Sequence, residues 1–183
     1  MQTERDLPTS SYVILGLLTT YGPMTPYELK KNVDGSIGYF WDFPRAQLYV
    51  DPARLMQQGL LAEEREAEGR RRRTYHITEE GQAVLQAWLH QPAVVEVELR
   101  DTGLLKLYFG ALLNQADIVA LAVRERDLHR HRLGEYEAIK AELAASPAMA
   151  FGLATLRMGI GYEQMSITFW EDIIAHPPVV PAE

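Results

Sequence analysis

A chain of 183 residues can bury one large or two small cores, and 47% apolar with 23% charged residues is the balance of a globular protein. Zero cysteines exclude disulfides, thiolate metal sites and cysteine nucleophiles. No apolar run approaches the roughly 18 residues of a membrane span, and the opening residues lack a secretory leader's pattern, so the expected compartment is the cytoplasm. A net charge of −7 excludes a general nucleic-acid coat. Residues 1–90 carry 10 Lys/Arg against 12 Asp/Glu, a net of −2, and residues 91–183 carry 8 against 13, a net of −5. Any nucleic-acid binding must come from a local patch.

In chain order, Ser10 to Thr20 reads as a helix with Tyr12, Leu15 and Leu18 on one face and Val13 and Leu17 beside them. Tyr21-Gly22-Pro23 stops it. Thr25-Pro26-Tyr27-Glu28 is a capping box that opens a second helix, ending near Asp34-Gly35. The aromatic stretch Ser36 to Trp41 is expected to tuck under a third helix, capped by Asp42 or Phe43 and opened by Pro44. Pro52 predicts a kink, or a break and restart, near Asp51. Gly59 closes the helix.

An acidic strand, a glycine and the run Arg70-Arg71-Arg72-Arg73 then form a candidate hairpin, and Thr78-Glu79-Glu80 caps a fourth helix that stops before Gln91-Pro92. Three short helices, a hairpin and a helix make a winged-helix outline over residues 1–90. Guanidinium groups at a hairpin tip can reach a phosphate backbone. The plainer alternative is a solvated tip balanced by Glu63, Glu64, Glu66 and Glu68. Arg45, Gln47 and Tyr49 at the start of the third helix have the donors for phosphate and base-edge contacts, although each is individually an ordinary surface residue.

Beyond Pro92 the pattern is helical: a segment from Arg100 to Leu113, a long helix from about Asp117 to Ala144, and a last one from Ala148 to Ala175. In the last, Leu153, Leu156, Ile160, Glu163, Ile167, Trp170 and Ile174 form a heptad seam with one polar interruption. Met158, Tyr162, Met165, Phe169 and Ile173 form a second stripe. A helix apolar on two faces packs on two sides, one in its own domain and the other on a second copy. The expected homodimer contacts are Leu153, Leu156, Ile160, Ile167, Trp170 and Ile174.

His129 and His131 lie two apart and share no helix face, so no metal or other cofactor is expected. Trp41, Trp88 and Trp170 are expected in aromatic core packing rather than around a ligand. No phosphate loop, nucleophile elbow or nucleophile–base pair points to an enzyme.

Several short motifs in this order resemble the PadR family of bacterial transcriptional regulators. They are Ile14-Leu15-Gly16-Leu17-Leu18, Gly22-Pro23, Tyr27-Glu28-Leu29, Gly38-Tyr39-Phe40-Trp41, Gln47-Leu48-Tyr49, Arg54-Leu55, Gly59-Leu60-Leu61, Gly69 to Tyr75, and Thr78-Glu79-Glu80-Gly81. The continuation, with Ala87 to Pro92, is similar to the long-chain subclass typified by the virulence activator AphA.

The resemblance implies a mostly helical α+β protein: a winged helix-turn-helix with a β-hairpin wing at 1–90, and an antiparallel, coiled-coil-like helical dimerisation domain at 91–183. It implies a homodimer on a pseudo-palindromic operator in double-stranded DNA, most often a repressor released by a small-molecule effector, with no membrane partner. Carried over by position, the DNA-binding residues are Tyr27, Arg45, Gln47, Tyr49, Arg70, Arg71, Arg72 and Arg73. The family commonly has proline directly after the tyrosine; here Val50 stands there and the proline is Pro52. A family member that has lost DNA binding and acts through other proteins is the alternative, supported by the acidic balance and the displaced proline. A ligand-binding or enzymatic helical domain is a more distant rival.

Overall fold

The computed structural model describes residues 7–41 (the Tyr39 side chain excepted), 44–65, 73–92, 99–144 and 149–178. The chain divides into two compact units, residues 1–95 and 96–183.

The first unit contains α1 (Thr9–Tyr21), α2 (Pro26–Asp34), a 3-10 turn at Ile37–Tyr39, α3 (Gln47–Gln57), β1 (Leu61–Arg65), β2 (Arg73–Ile77) and α4 (Glu79–Leu89). Its core is built on α1, where Ile14, Leu15, Leu17 and Leu18 are buried and pack with Leu29 and Val33 of α2, Leu48 and Leu55 of α3 and Leu85 of α4. Tyr12 stacks on Trp88 with ring centroids 4.6 Å apart, which joins α1 to α4. The capping box that opens α2 is formed: Thr25 Oγ1 accepts from the Glu28 N–H at 3.3 Å, and Glu28 Oε2 accepts from the Thr25 N–H at 2.8 Å.

The hairpin is antiparallel, with register from Leu61↔Ile77 to Arg65↔Arg73. Leu61 and Tyr75 point into the core. Met24 adds a bridge on the free edge of β2, donating to the Tyr75 carbonyl at 3.2 Å and accepting from its N–H at 2.8 Å. Burial pushes the Tyr75 phenol above its ordinary pKa, and the Glu63 charge adds to the effect.

The third helix departs from expectation at both ends of its first half. Asp42 and Phe43, the expected caps, lie outside the described residues. A turn occupies 44–46, with the Gln47 N–H donating to the Pro44 carbonyl at 2.9 Å, and the helix begins at Gln47. The expected break and restart at Asp51 does not occur; α3 is one helix with Pro52 inside. Proline there forfeits only the bond to the Leu48 carbonyl.

Asp51 does not cap a new helix either. It is buried and accepts from Ser10 Oγ at 2.5 Å and Arg54 Nη2 at 3.0 Å, which ties α3 to α1. The helix ends as the glycine requires. Gly59 adopts φ 73, and the Gly59 and Leu60 N–H groups return to Met56 and Leu55.

The aromatic segment is also corrected. Phe40 and Trp41 are exposed and do not tuck beneath α3.

The second unit contains α5 (Thr102–Tyr108), a 3-10 turn at Gly110–Leu112, α6 (Gln115–Leu143) and α7 (Ala150–Ala175). Asp101 caps α5 and Asn114 caps α6, each accepting from a first-turn N–H. The helices α6 and α7 run antiparallel: Leu143 lies beside Gly152, the Tyr136 ring lies over Gly159, and His129 Nδ1 is 2.5 Å from Glu163 Oε2. That buried pair accounts for the polar interruption in the α7 seam. Among the described residues, no helix is long and apolar enough to cross a membrane.

Candidate nucleic-acid interface

A small charge cluster stands where α2 hands over to α3. Asp34, at the end of α2, accepts from Lys30 Nζ at 2.6 Å and from Arg45 Nε at 2.8 Å. The hydrogen bond to Asp34 raises the Lys30 pKa, and its hydrogen bonds from Lys30 and Arg45 lower that of Asp34. Lys30 and Arg45 thus share one carboxylate across the turn that joins α2 to α3.

Gly38 makes this geometry possible. A Cβ there would sit 2.7 Å from Arg45 Nη2 and 2.8 Å from the Val33 carbonyl oxygen. Glycine lets the guanidinium lie across the 3-10 turn on its way to Asp34.

Helix α3 divides cleanly between inward and outward residues. Leu48, Asp51, Pro52 and Leu55 are buried, whereas Tyr49, Val50, Ala53 and Gln57 are exposed. Ala46, helical in its own dihedrals although it precedes α3, extends the outward face. Gln47 and Arg45 are half-buried. Tyr27, on the first turn of α2, is 71% exposed and lies three residues before Lys30, on the same side of that helix.

In the hairpin, Arg73 is exposed opposite Arg65, which is paired with Glu63. Arg70, Arg71 and Arg72 lie outside the described residues.

The structure therefore joins Arg45 to Lys30 through Asp34, partners that the sequence reading missed, and leaves Tyr49 exposed on α3. The Lys30–Asp34 pair has a legible signal, a four-residue spacing on a helix. The Arg45–Asp34 contact, across eleven residues and a turn, has none.

The expected dimer residues separate into two groups. Ile160 and Trp170 are buried in the single chain, and Leu153, Leu156, Ile167 and Ile174 are half-buried. The seam thus faces largely inward, because α6 packs along α7 within one chain. The exposed apolar surface of α7 is instead carried by Phe151, Met158, Met165 and Phe169. On α5 and the following 3-10 turn, Leu105, Phe109, Leu112 and Leu113 line an apolar groove of about 700 Å³. Of the three tryptophans, Trp88 and Trp170 pack in cores and Trp41 does not.

Both parts of the chain match known family models. Residues 14–87 match the transcriptional regulator PadR-like family, and residues 99–176 match the virulence activator alpha C-terminal family. The negative transcriptional regulator PadR of Bacillus subtilis is 26% identical over 139 residues, covering 74% of this chain and 75% of its own. The crystal structure of Bacillus subtilis PadR in complex with operator DNA has the same fold, with a TM-score of 0.82 at 22% identity, over 92% of this chain and 98% of that one. Its structure in complex with p-coumaric acid matches with a TM-score of 0.75 at 22% identity, over 96% and 97%. The chain is therefore a homologue of the PadR regulators, built from a PadR-like transcriptional-regulator domain at residues 14–87 and a virulence-activator alpha C-terminal domain at residues 99–176.

Proposed function

We propose that this chain is a cytoplasmic DNA-binding regulator that works as a homodimer, with residues 1–90 on the DNA and residues 91–183 joining the copies. The observation that carries the reading is the outward face of α3, with Tyr49 and Val50 in solvent and, just before it, Arg45 and Lys30 gathered on Asp34. A two-fold dimer presents two such helices to successive major grooves of a pseudo-palindromic site. In this reading Arg45, Gln47 and Tyr49 enter the groove, Arg70 to Arg73 hold phosphates, and Tyr27 adds a contact from α2.

The exposed apolar surface of the second unit supports the dimer. Leu112 and Phe151 are 84% and 88% exposed in the single chain, and Leu105, Phe109, Leu112 and Leu113 share one apolar groove, a surface that a monomeric protein rarely leaves in water. Repression, and its release by a small aromatic ligand, are carried over from the Bacillus subtilis relative, a negative regulator also crystallised with p-coumaric acid.

Footprinting on the DNA upstream of the protein's own coding sequence tests the assignment. Two protected half-sites centred one helical turn, or a whole number of turns, apart are expected. A single protected half-site would overturn the dimer, and uniform protection would overturn sequence recognition. Addition of p-coumaric acid is expected to lift the footprint; persistence at saturating ligand would remove this ligand class from the account.

A further inference from the structure

The outward face of α3 has an unusual composition for a surface that reads DNA. Ala46, Tyr49, Val50 and Ala53 are exposed at relative positions 0, 3, 4 and 7, and so lie on one side of the helix. Three of the four present only methyl groups. Val50 is 66% exposed, and a β-branched residue in solvent gains no packing for its poor helix propensity. The two arginines nearby are engaged, Arg45 on Asp34 and Arg54 on Asp51 and Ser11, and Gln57 forms the polar end of the face one turn beyond Ala53.

In the major groove the apolar feature of a standard base pair is the thymine C5-methyl. The alanines matter as well, because small residues on either side of Val50 let the helix backbone approach the groove floor. From Ala46 to Ala53 the helix rises about 10 Å, which spans two or three base pairs.

We infer that α3 reads its operator chiefly through thymine methyl groups, with Val50 as the specificity-determining contact and Ala46 and Ala53 setting the approach. This rests on the DNA-binding reading proposed above. Arg45 then positions the helix, Gln47 adds a secondary base-edge contact, and the chief discriminated bases are thymines beneath Val50. A lone exposed valine would need no explanation. The grounds here are its place on the outward face of α3, flanked by alanines at both ends of that face.

The test is a selection of duplexes from a random library by the full-length protein, followed by synthesis of the selected site with deoxyuridine replacing individual thymidines. That change removes one methyl and keeps the pairing. A loss of roughly fourfold in affinity per contacted methyl is expected, confined to one or two positions in each half-site. Val50→Ala, which improves helix propensity and leaves the core untouched, is expected to weaken binding to thymidine DNA and not to the deoxyuridine form. Equal affinity for both DNAs, an equal penalty from Val50→Ala on both, or a selected half-site without thymine would each overturn the inference. Failure to enrich any sequence would instead overturn the DNA-binding reading beneath it.

Discussion

At the scale of single residues, Asp34 decides how much positive charge the interface offers. Its carboxylate neutralises one of its two cations, leaving Lys30, Arg45 and Asp34 with a net charge of about +1. A phosphate must therefore compete with Asp34 for Arg45. Asp34→Asn is expected to raise affinity for unrelated DNA several-fold at low salt and to steepen the salt dependence, by about 0.9 in the log–log slope for each further phosphate neutralised. Binding isotherms on control DNA check this; an unchanged slope would mean that Arg45 does not reach the backbone.

Asp51 plays a different part. Replacing it with alanine leaves Ser10 without its acceptor on α3 and removes the carboxylate from Arg54, which keeps its bond to Ser11. Because the Arg54 side chain is partly exposed, the expected cost is about 2 kcal/mol, below that of breaking a fully buried pair. Chemical denaturation measures it, and a midpoint equal to wild type would contradict the tie.

Residue pairs of this kind divide sharply in how legible they are from sequence. The Thr25–Glu28 box could be read because both partners sit within one helical turn. Asp51 with Ser10 and Glu163 with His129 could not, since their separations of 41 and 34 residues are set by packing between helices.

At the scale of elements, periodicity and capping signals located the α-helices among the described residues, while the 3-10 turns escaped them and α5 stops at Tyr108, short of the expected Leu113. The sequence placed the opening of the third helix at Pro44, because proline suits a first helical position. The chain instead makes a turn at 44–46 and starts the helix at Gln47. Pro52 looked like a restart after Asp51, but Asp51 is directed to α1 and the helix continues. Aromatic content misled for Phe40 and Trp41, whose exposure follows from tertiary placement and leaves no trace in local pattern.

The proposed phosphate contacts of Arg70 to Arg73 invite their own test. Arg71→Ala with Arg72→Ala is expected to weaken binding to all sequences alike and to flatten the salt slope by about 0.9 for each phosphate left without its arginine. Unchanged affinity and slope would remove the wing from the interface. Gln47→Ala is expected instead to alter preference among sites, and a uniform loss would count against base readout.

At the scale of the whole molecule, the proposed function gives the two units different work, and the second carries more of the negative charge. The sequence recognised that α7 is apolar on two sides; in the single chain Ile160 and Trp170 are buried, Leu153, Leu156, Ile167 and Ile174 are half-buried, and Met158 and Met165 are exposed. Both stripes have helical spacing, so periodicity alone cannot say which meets α6. In the proposed dimer, Met158→Glu with Met165→Glu places four charges per dimer on the outward stripe. The expected result is a monomer with helix content intact, seen by light scattering and circular dichroism; a persisting dimer would move the interface elsewhere.

A net charge of −7 opposes non-specific attachment to DNA, so useful binding depends on the local cationic patch and the groove contacts. The most direct measurement is fluorescence anisotropy of the full-length protein with its own upstream DNA across a salt series, against unrelated DNA of equal length. The account predicts preferential binding to the upstream DNA that falls steeply as salt rises. Equal binding to both DNAs at low salt, or none to either, would contradict it.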